Sequence, residues 1–342
     1  IRDDLVTGVQ TCALPIYNHD DFGGHAKRNE FSLDGRKIIS YGGSQSMEDP
    51  GSYSPMLKSM LLDLGVDTAR FETAYDQDFF HRHELGQAVY FDRATFGADR
   101  LIRYPLIDYT RFLPLAENKL PVQHAVADMP LSAPARTQLL YLLTSRENFR
   151  PDLNPAQQEN YLWQISYRDF LERHMGVTEP EVFALLQGLT ADATASMERS
   201  SALGLLGYNG FPGLQATALA DYNRGFEPYI FHFPDGNAAI ARLLVRRLIP
   251  EVAPGSTMDD IVLAPFDYAL LDQPGSDVRL RLNATVVHAA NEPGDEGVSI
   301  QYVSGGSTYQ AHGRHCVMAG YNAMIPHICP ELGDEQTLDR KS

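Results

Sequence analysis

Two glycine pairs, Gly23-Gly24 and Gly42-Gly43, have a type and spacing that could serve chemistry. A glycine lets backbone come close to a bound group where a Cβ would prevent it, and it equally makes a tight turn. Lys27 and Arg28 follow the first pair, and Ser44 and Gln45 follow the second. The aromatic run Tyr208, Phe211, Tyr222, Phe226, Tyr229, Phe231 and Phe233 could hold a cationic or apolar substrate or simply pack a core. Among the eleven histidines, His81-Arg82-His83-Glu84 and His312-x-x-His315 raise a metal reading. Zinc needs three or four ligands, and neither pair has a completing cluster, since His315 and Cys316 are adjacent and would point apart on a strand. No metal site is expected. The chain also lacks the G-x-S-x-G elbow of a serine hydrolase.

Local spacing predicts the elements that would hold these residues. KIISY is a β-branched strand running into Gly42-Gly43-Ser44-Gln45. Ser54 as N-cap and Pro55 in the first turn open a helix with Met56, Leu57, Met60, Leu61 and Leu64 on an apolar face and Gly65 as its cap. The methionines are expected in the core. Helices are also predicted over 132–145, over 166–176 from the Ser166-x-x-Asp169 box, and over 178–189 with Thr178 as N-cap and Pro180 early in the helix. Further on, a turn at Asp235-Gly236 precedes a helix with Ile240, Leu243, Leu244 and Leu248 on one face, stopped at Pro250. Residues 278–291 and 297–304 alternate like paired strands, and another strand is predicted to end at Ala319-Gly320.

The chain has 342 residues, enough for roughly two domains. With 28 Lys and Arg against 44 Asp and Glu, its net charge is −16 and no basic block offsets it. Nucleic acid is therefore excluded as a partner, and a small cationic molecule suits the field better. No apolar run reaches the ~18 residues of a membrane span. Three cysteines, Cys12, Cys316 and Cys329, cannot make a disulfide framework. The expectation is a soluble bacterial protein of the cytoplasm or periplasm.

Residues 17–31, YNHDDFGGHAKRNEF, together with the second glycine pair and the helix after it, resemble the spermidine dehydrogenase-like branch of the flavin amine oxidase superfamily. The helix at 238–248 and the strands after it resemble the return of such a chain to its FAD domain. The resemblance implies an α/β fold: an incomplete FAD/NAD(P)-binding Rossmann-like domain with a mainly helical inserted substrate domain. It implies FAD as cofactor and amine oxidation by hydride transfer to the flavin, with a small molecule, a cationic amine, as substrate. An aspartate would stand at Tyr17 and accept hydrogen bonds from the adenosine ribose. Gly23 and Gly24 would approach the cofactor, with His25 typical of this branch, and Lys27 and Arg28 would neutralise the pyrophosphate. Gly42, Gly43, Ser44 and Gln45 would pass beside the isoalloxazine ring. Val286 would hold the adenine through its backbone, and Ala319 and Gly320 would lie near the dinucleotide. No catalytic residue is assigned. A related flavoprotein, such as a desaturase or a dehydrogenase of another substrate, stays open.

The two ends read differently. Residues 1–16 back-translate into the reading frame of a short-read library adapter, and Asp339-Arg340-Lys341-Ser342 fits the adapter of the other side. Tyr17 would then be a hybrid codon whose natural form includes aspartate. The expected organisation is adapter at 1–16, a first FAD-binding segment at 17–65, the substrate domain at 66–225, a second FAD-binding segment at 226–338, and adapter at 339–342. The adapter residues have no reason to pack. Without the G-x-G-x-x-G unit before residue 17 the chain is expected to bind FAD weakly or not at all, which leaves a non-catalytic product as a further alternative.

Overall fold

The computed structural model describes residues 2–3, 13–107, 115–116, 119–190, 196–220 and 227–332, with backbone alone for Arg2, Asp3, Tyr208 and Asp295. Cys12, Tyr222, Phe226 and 339–342 lie outside these. The chain divides into two compact units, one of 1–71 with 230–342 and the other of 72–229. The motif reading puts the joins after 65 and 225.

In chain order the elements are β1 (Arg2–Asp3), β2 (Arg28–Leu33), β3 (Arg36–Tyr41), α1 (Pro55–Asp63), α2 (Ala69–Ala74), α3 (Phe79–Arg82), β4 (Val89–Phe91), α4 (Arg93–Phe96), β5 (Arg100–Ile102), α5 (Val122–Asp128), α6 (Ala133–Thr144), α7 (Pro155–Gln164), α8 (Tyr167–Arg173), α9 (Pro180–Leu189), α10 (Ala238–Leu248), β6 (Ala284–Asn291), β7 (Val298–Ser304), β8 (Ser307–Gly313) and α11 (Ile325–Ile328). Among the described residues no helix is long and apolar enough to cross a membrane.

In the first unit, β1, β8, β7 and β6 form one sheet in that order, antiparallel except for β1 on β8. Gly305 and Gly306, at φ 55° and 77°, make the two-residue turn between β7 and β8. β2 and β3 form a separate hairpin. The predicted strand over 278–291 is β-sheet only from Ala284 on. Residues 277–281 instead meet 13–17 in parallel bridges, with Arg279 N bonding to Ala13 O at 3.0 Å and Arg281 N to Pro15 O at 2.9 Å. So 13–16 do pair, contrary to expectation, although none of their side chains is buried. Strand pairing needs only N–H and C=O, whatever the side chains are. The last predicted strand stops at Gly313, not at Gly320, because its partner β7 begins at Val298, opposite Gly313.

Two helices of this unit bury or half-bury most of the predicted face but leave one predicted residue of each, Met56 and Leu248, exposed. In α1, Leu61 and Leu64 are buried but Met56 is 82% exposed. At about 100° per residue, Leu57, Leu61 and Leu64 share a narrow stripe and Met56 falls well outside it. In α10 the buried residues include Arg242 and Arg246, while Leu248 is exposed. The arginines are buried because their donors are used by the loop that follows. Arg246 bonds to Pro254 O at 3.1 Å, Thr257 O at 2.8 Å and the Asp260 carboxylate.

The second unit is mainly helical and packs one core through Leu139, Leu142, Leu162, Tyr167, Phe170 and Leu186. Ser132 caps α6, which lies within the predicted 132–145 helix, and Ser166 caps α8 as predicted by accepting Asp169 N at 3.0 Å. Helix α9 starts after Glu179, not Thr178. The Gln138 side chain holds both backbone N–H groups there, at 2.8 Å from Thr178 N and 3.0 Å from Glu179 N.

Burial pushes the Asp260 carboxyl up, but donors from Arg246, Ser256 and Thr257 outweigh this and hold it well below the ordinary carboxylate range. A depressed acid stabilises the fold above its unfolded pKa of about 4 and loses that contribution as pH falls through the folded value. Asp260→Asn should lower the melting temperature by a few degrees at neutral pH, and the gap to wild type should narrow as the pH falls below about 4. Thermal melts from pH 7 to pH 2.5 measure it; a gap independent of pH would refute the account.

Candidate functional site

The first glycine pair sits on a backbone ladder. Tyr17 N bonds to Arg281 O, Ala284 N to Tyr17 O, and Asn283 N to His19 O, each at 2.8 Å. Tyr17 itself packs against a small core containing Phe22 and Leu271. The chain then turns through Gly23 at φ 98° and Gly24 at φ 59°. A Cβ on Gly23 would lie 2.7 Å from Ala26 O and 3.2 Å from the Ala241 Cβ, whereas one on Gly24 would meet nothing within 4 Å.

The second pair is laid directly on the first segment. Gly42 N bonds to Lys27 O at 2.7 Å and Ser44 N to His25 O at 2.9 Å. A Cβ on Gly42 would stand 2.4 Å from Lys27 O, and one on Gly43 3.0 Å from His25 O. Gln45 is half-buried in the same stretch. The ladder continues into the turn before α10, where Asn237 N bonds to Ser44 O at 3.0 Å. The Asn237 side chain donates to Ser44 Oγ and Ser46 O, each at 2.9 Å. Segments 23–28, 42–46 and 235–237 are thus one connected surface.

Charge is concentrated beside it. The Lys27 ammonium lies 3.0 Å from Asp20, and the hydrogen bond raises the lysine and lowers the acid. Arg28 reaches Glu30, Val262 O and, at 3.5 Å, the wholly buried Asp235. Burial raises the Asp235 carboxyl against the pull of Arg28 and Arg242. Arg242 lies 4.0 Å over the Phe266 ring and donates to Ile261 O at 3.3 Å and Ala264 O at 2.5 Å. Burial, then Arg28, brings it down to about 10. The Tyr268 hydroxyl, pushed up by burial, donates to Asp21 at 2.8 Å. Asp235, Arg242 and Tyr268 were missed by motif reasoning. The one available signal was Arg242 and Arg246 four apart, on a single helix stripe.

A cleft of about 440 Å³ adjoins this surface, lined by Asp20, Tyr268, Asp272, Arg281, Asn283 and Ser304. Val286 pairs with Tyr302, two residues along β6 from the Ala284 that bonds to Tyr17. A bulge follows it, leaving Val287 outside the ladder register. Ala319 and Gly320 are exposed beyond β8, and a Cβ on Gly320 would meet nothing within 4 Å. Phe231 and Phe233 pack edge-on to Phe71, at 6.2 and 5.1 Å, as core. His312 pairs with Glu292, and among the described residues no three His, Cys, Asp or Glu side chains group as metal ligands.

Asp235 Oδ1 is buried with no hydrogen-bond partner among the described residues, an acceptor to which the surrounding segments supply no donor. No protein-family model and no curated protein matches the sequence.

The two glycines of the first pair should respond differently to alanine. Gly23→Ala meets both a positive φ and a backbone oxygen, and should cost about 2–3 kcal/mol; Gly24→Ala has only its φ to oppose it and should cost about 1 kcal/mol. Urea unfolding of the two variants compares them, and equal losses would contradict the described packing.

Proposed function

We propose that this chain is part of an FAD-dependent oxidoreductase acting on a cationic amine, of the spermidine dehydrogenase-like kind. One observation carries the proposal. Segments 23–28 and 42–46, the two ends of the β2–β3 hairpin, and segment 235–237, about 190 residues further on, are bonded in series through Lys27, His25, Ser44 and Asn237, so the glycine motifs that resemble a flavoprotein's lie at a single place. Bound FAD would supply the hydride acceptor, and the protein would supply position and electrostatics. Gly24 leaves its side of the turn open, and Lys27 and Arg28 bring positive charge to the same segment. The net charge of −16 draws a cationic substrate toward the molecule.

Flavin fluorescence quenching tests this directly. Titration of the purified chain with FAD should give weak, saturable quenching that ADP competes away. Tyr17→Asp should tighten binding about tenfold, the effect of ~1.4 kcal/mol, since a carboxylate at that strand end accepts ribose hydroxyls. If neither protein quenches saturably while both melt cooperatively, the proposal is wrong.

A further inference from the structure

Past β8 the chain turns its sulfur atoms to one side. Cys316 and Met318 are half-buried, while Val317 between them is 87% exposed. Residues two apart in an extended segment share a face, and the Cys316 Sγ lies 3.6 Å from the Met318 Sδ. Residues 319–324 are exposed, and the side chains that next turn inward belong to α11 and to Cys329 at its end. The sheet brings both cysteines to the same end of the unit. Gly313, the last residue of β8, stands opposite Val298, and Val298 opposite Asn291. The Asn291 backbone and side-chain amides both donate to Glu331 Oε2, at 3.1 and 2.9 Å. Cys316 follows the first end of this series closely, and Cys329 closely precedes the other. Both are thiols outside any disulfide. Burial pushes the Cys316 thiol up, and the charge of Cys329 adds to the effect.

We infer that Cys316, Met318 and Cys329 form a sulfur-only site for a soft monovalent cation, Cu(I), which closes the loop between β8 and α11. The ligand set selects the ion. Among the described residues no third His, Cys, Asp or Glu joins the two thiols, so the four-coordinate nitrogen and sulfur sets that zinc favours are not assembled there. A thioether makes up the third ligand for a soft ion, and thiolate with thioether is the donor combination that selects Cu(I). The spacing suits a shared ion as well. With metal–sulfur bonds of about 2.3 Å, the length of a zinc–thiolate bond, two sulfurs 3.6 Å apart subtend roughly 100° at a common centre, an ordinary ligand angle. Both cysteines bind as thiolates, so two protons pass to solvent while the copper stays Cu(I) and no electron is transferred. Tyr321 and Met324, exposed in the loop, lie between the ligands in sequence, so the ion fixes both ends of the segment that carries them. The site is independent of the flavoprotein reading.

Anaerobic titration of the reduced full chain with Cu(I), in competition with bicinchoninate and followed at the absorbance of its copper complex, tests the site. Met318→Leu keeps the bulk of the side chain and removes its sulfur, and should weaken Cu(I) binding about tenfold. Cys316→Ser and Cys329→Ser should each abolish it. Cys12 is common to all of these proteins, so whatever copper it takes does not distinguish them. Zn(II), which does not use the thioether, should bind wild type and Met318→Leu alike. Chymotrypsin gives a second reading: Cu(I) should slow cleavage after Tyr321 in wild type and not in Cys329→Ser. Met318→Leu retains both thiols and decides the matter by itself if a cysteine variant fails to fold. A Cu(I) affinity unchanged in Met318→Leu or in Cys329→Ser would overturn the inference, as would equal protection of Tyr321 by Cu(I) in wild type and Cys329→Ser.

Discussion

A Cβ at Gly42 or Gly236 would stand 2.4 or 2.5 Å from a carbonyl oxygen, and the candidate site exists because neither position carries one. Gly42 lets the 42–46 segment lie against 25–27, and Gly236 lets the turn before α10 lie against Ser44. The bonds from Ser44 N, Gly42 N and Asn237 N follow from that approach. Side chains there would push three backbone segments apart and, with them, the charges and amides they carry. The demand is steric: at these distances no rotamer relieves the overlap.

The same closeness creates the electrostatic tension of this region. Arg242 and Arg246, on one stripe of α10, and Arg28, at the start of β2, all donate to carbonyls of the 254–264 loop. A buried guanidinium is tolerable when its donors are used, and these are. Asp235 is less well served: a fully buried carboxyl with one oxygen unpartnered typically costs about 1–3 kcal/mol. Phe22 packs tilted against Phe266 at 5.7 Å and stacks with Tyr268 at 6.0 Å, which ties the first glycine turn to the residues just after that loop. The site is thus braced by apolar and arginine contacts while holding one strained polar group.

The second unit is held differently. Its helices are capped by their own N-terminal residues and packed around Tyr167 and Phe170. Gln158, a wholly buried polar hub, donates to Asn148 Oδ1 and Arg150 O and accepts from Ala218 N at 2.9 Å. Every polar group of that hub is used, so it is a stabilising feature and carries no counterpart of the Asp235 problem.

Helix starts at Ser54, Ser132 and Ser166 were legible because a cap needs only a hydroxyl within three residues of the N–H it accepts. The β7 strand was legible for the same local reason, an alternation of side chains. Amino-acid spacing also exposed the two glycine pairs as special positions. It did not say what fills the space that a Cβ would take, because the answer lies in Lys27, His25 and Ser44 brought up from elsewhere. Likewise Thr178 looks like a cap, yet Gln138 from another helix does its work, and strand β8 ends at Gly313 only because its partner does. Arg242 reads as solvent-facing until Ile261 and Ala264 offer their carbonyls. Local sequence determines groups whose partners lie within a turn; where a donor meets its acceptor across tens or hundreds of residues, only the folded chain decides.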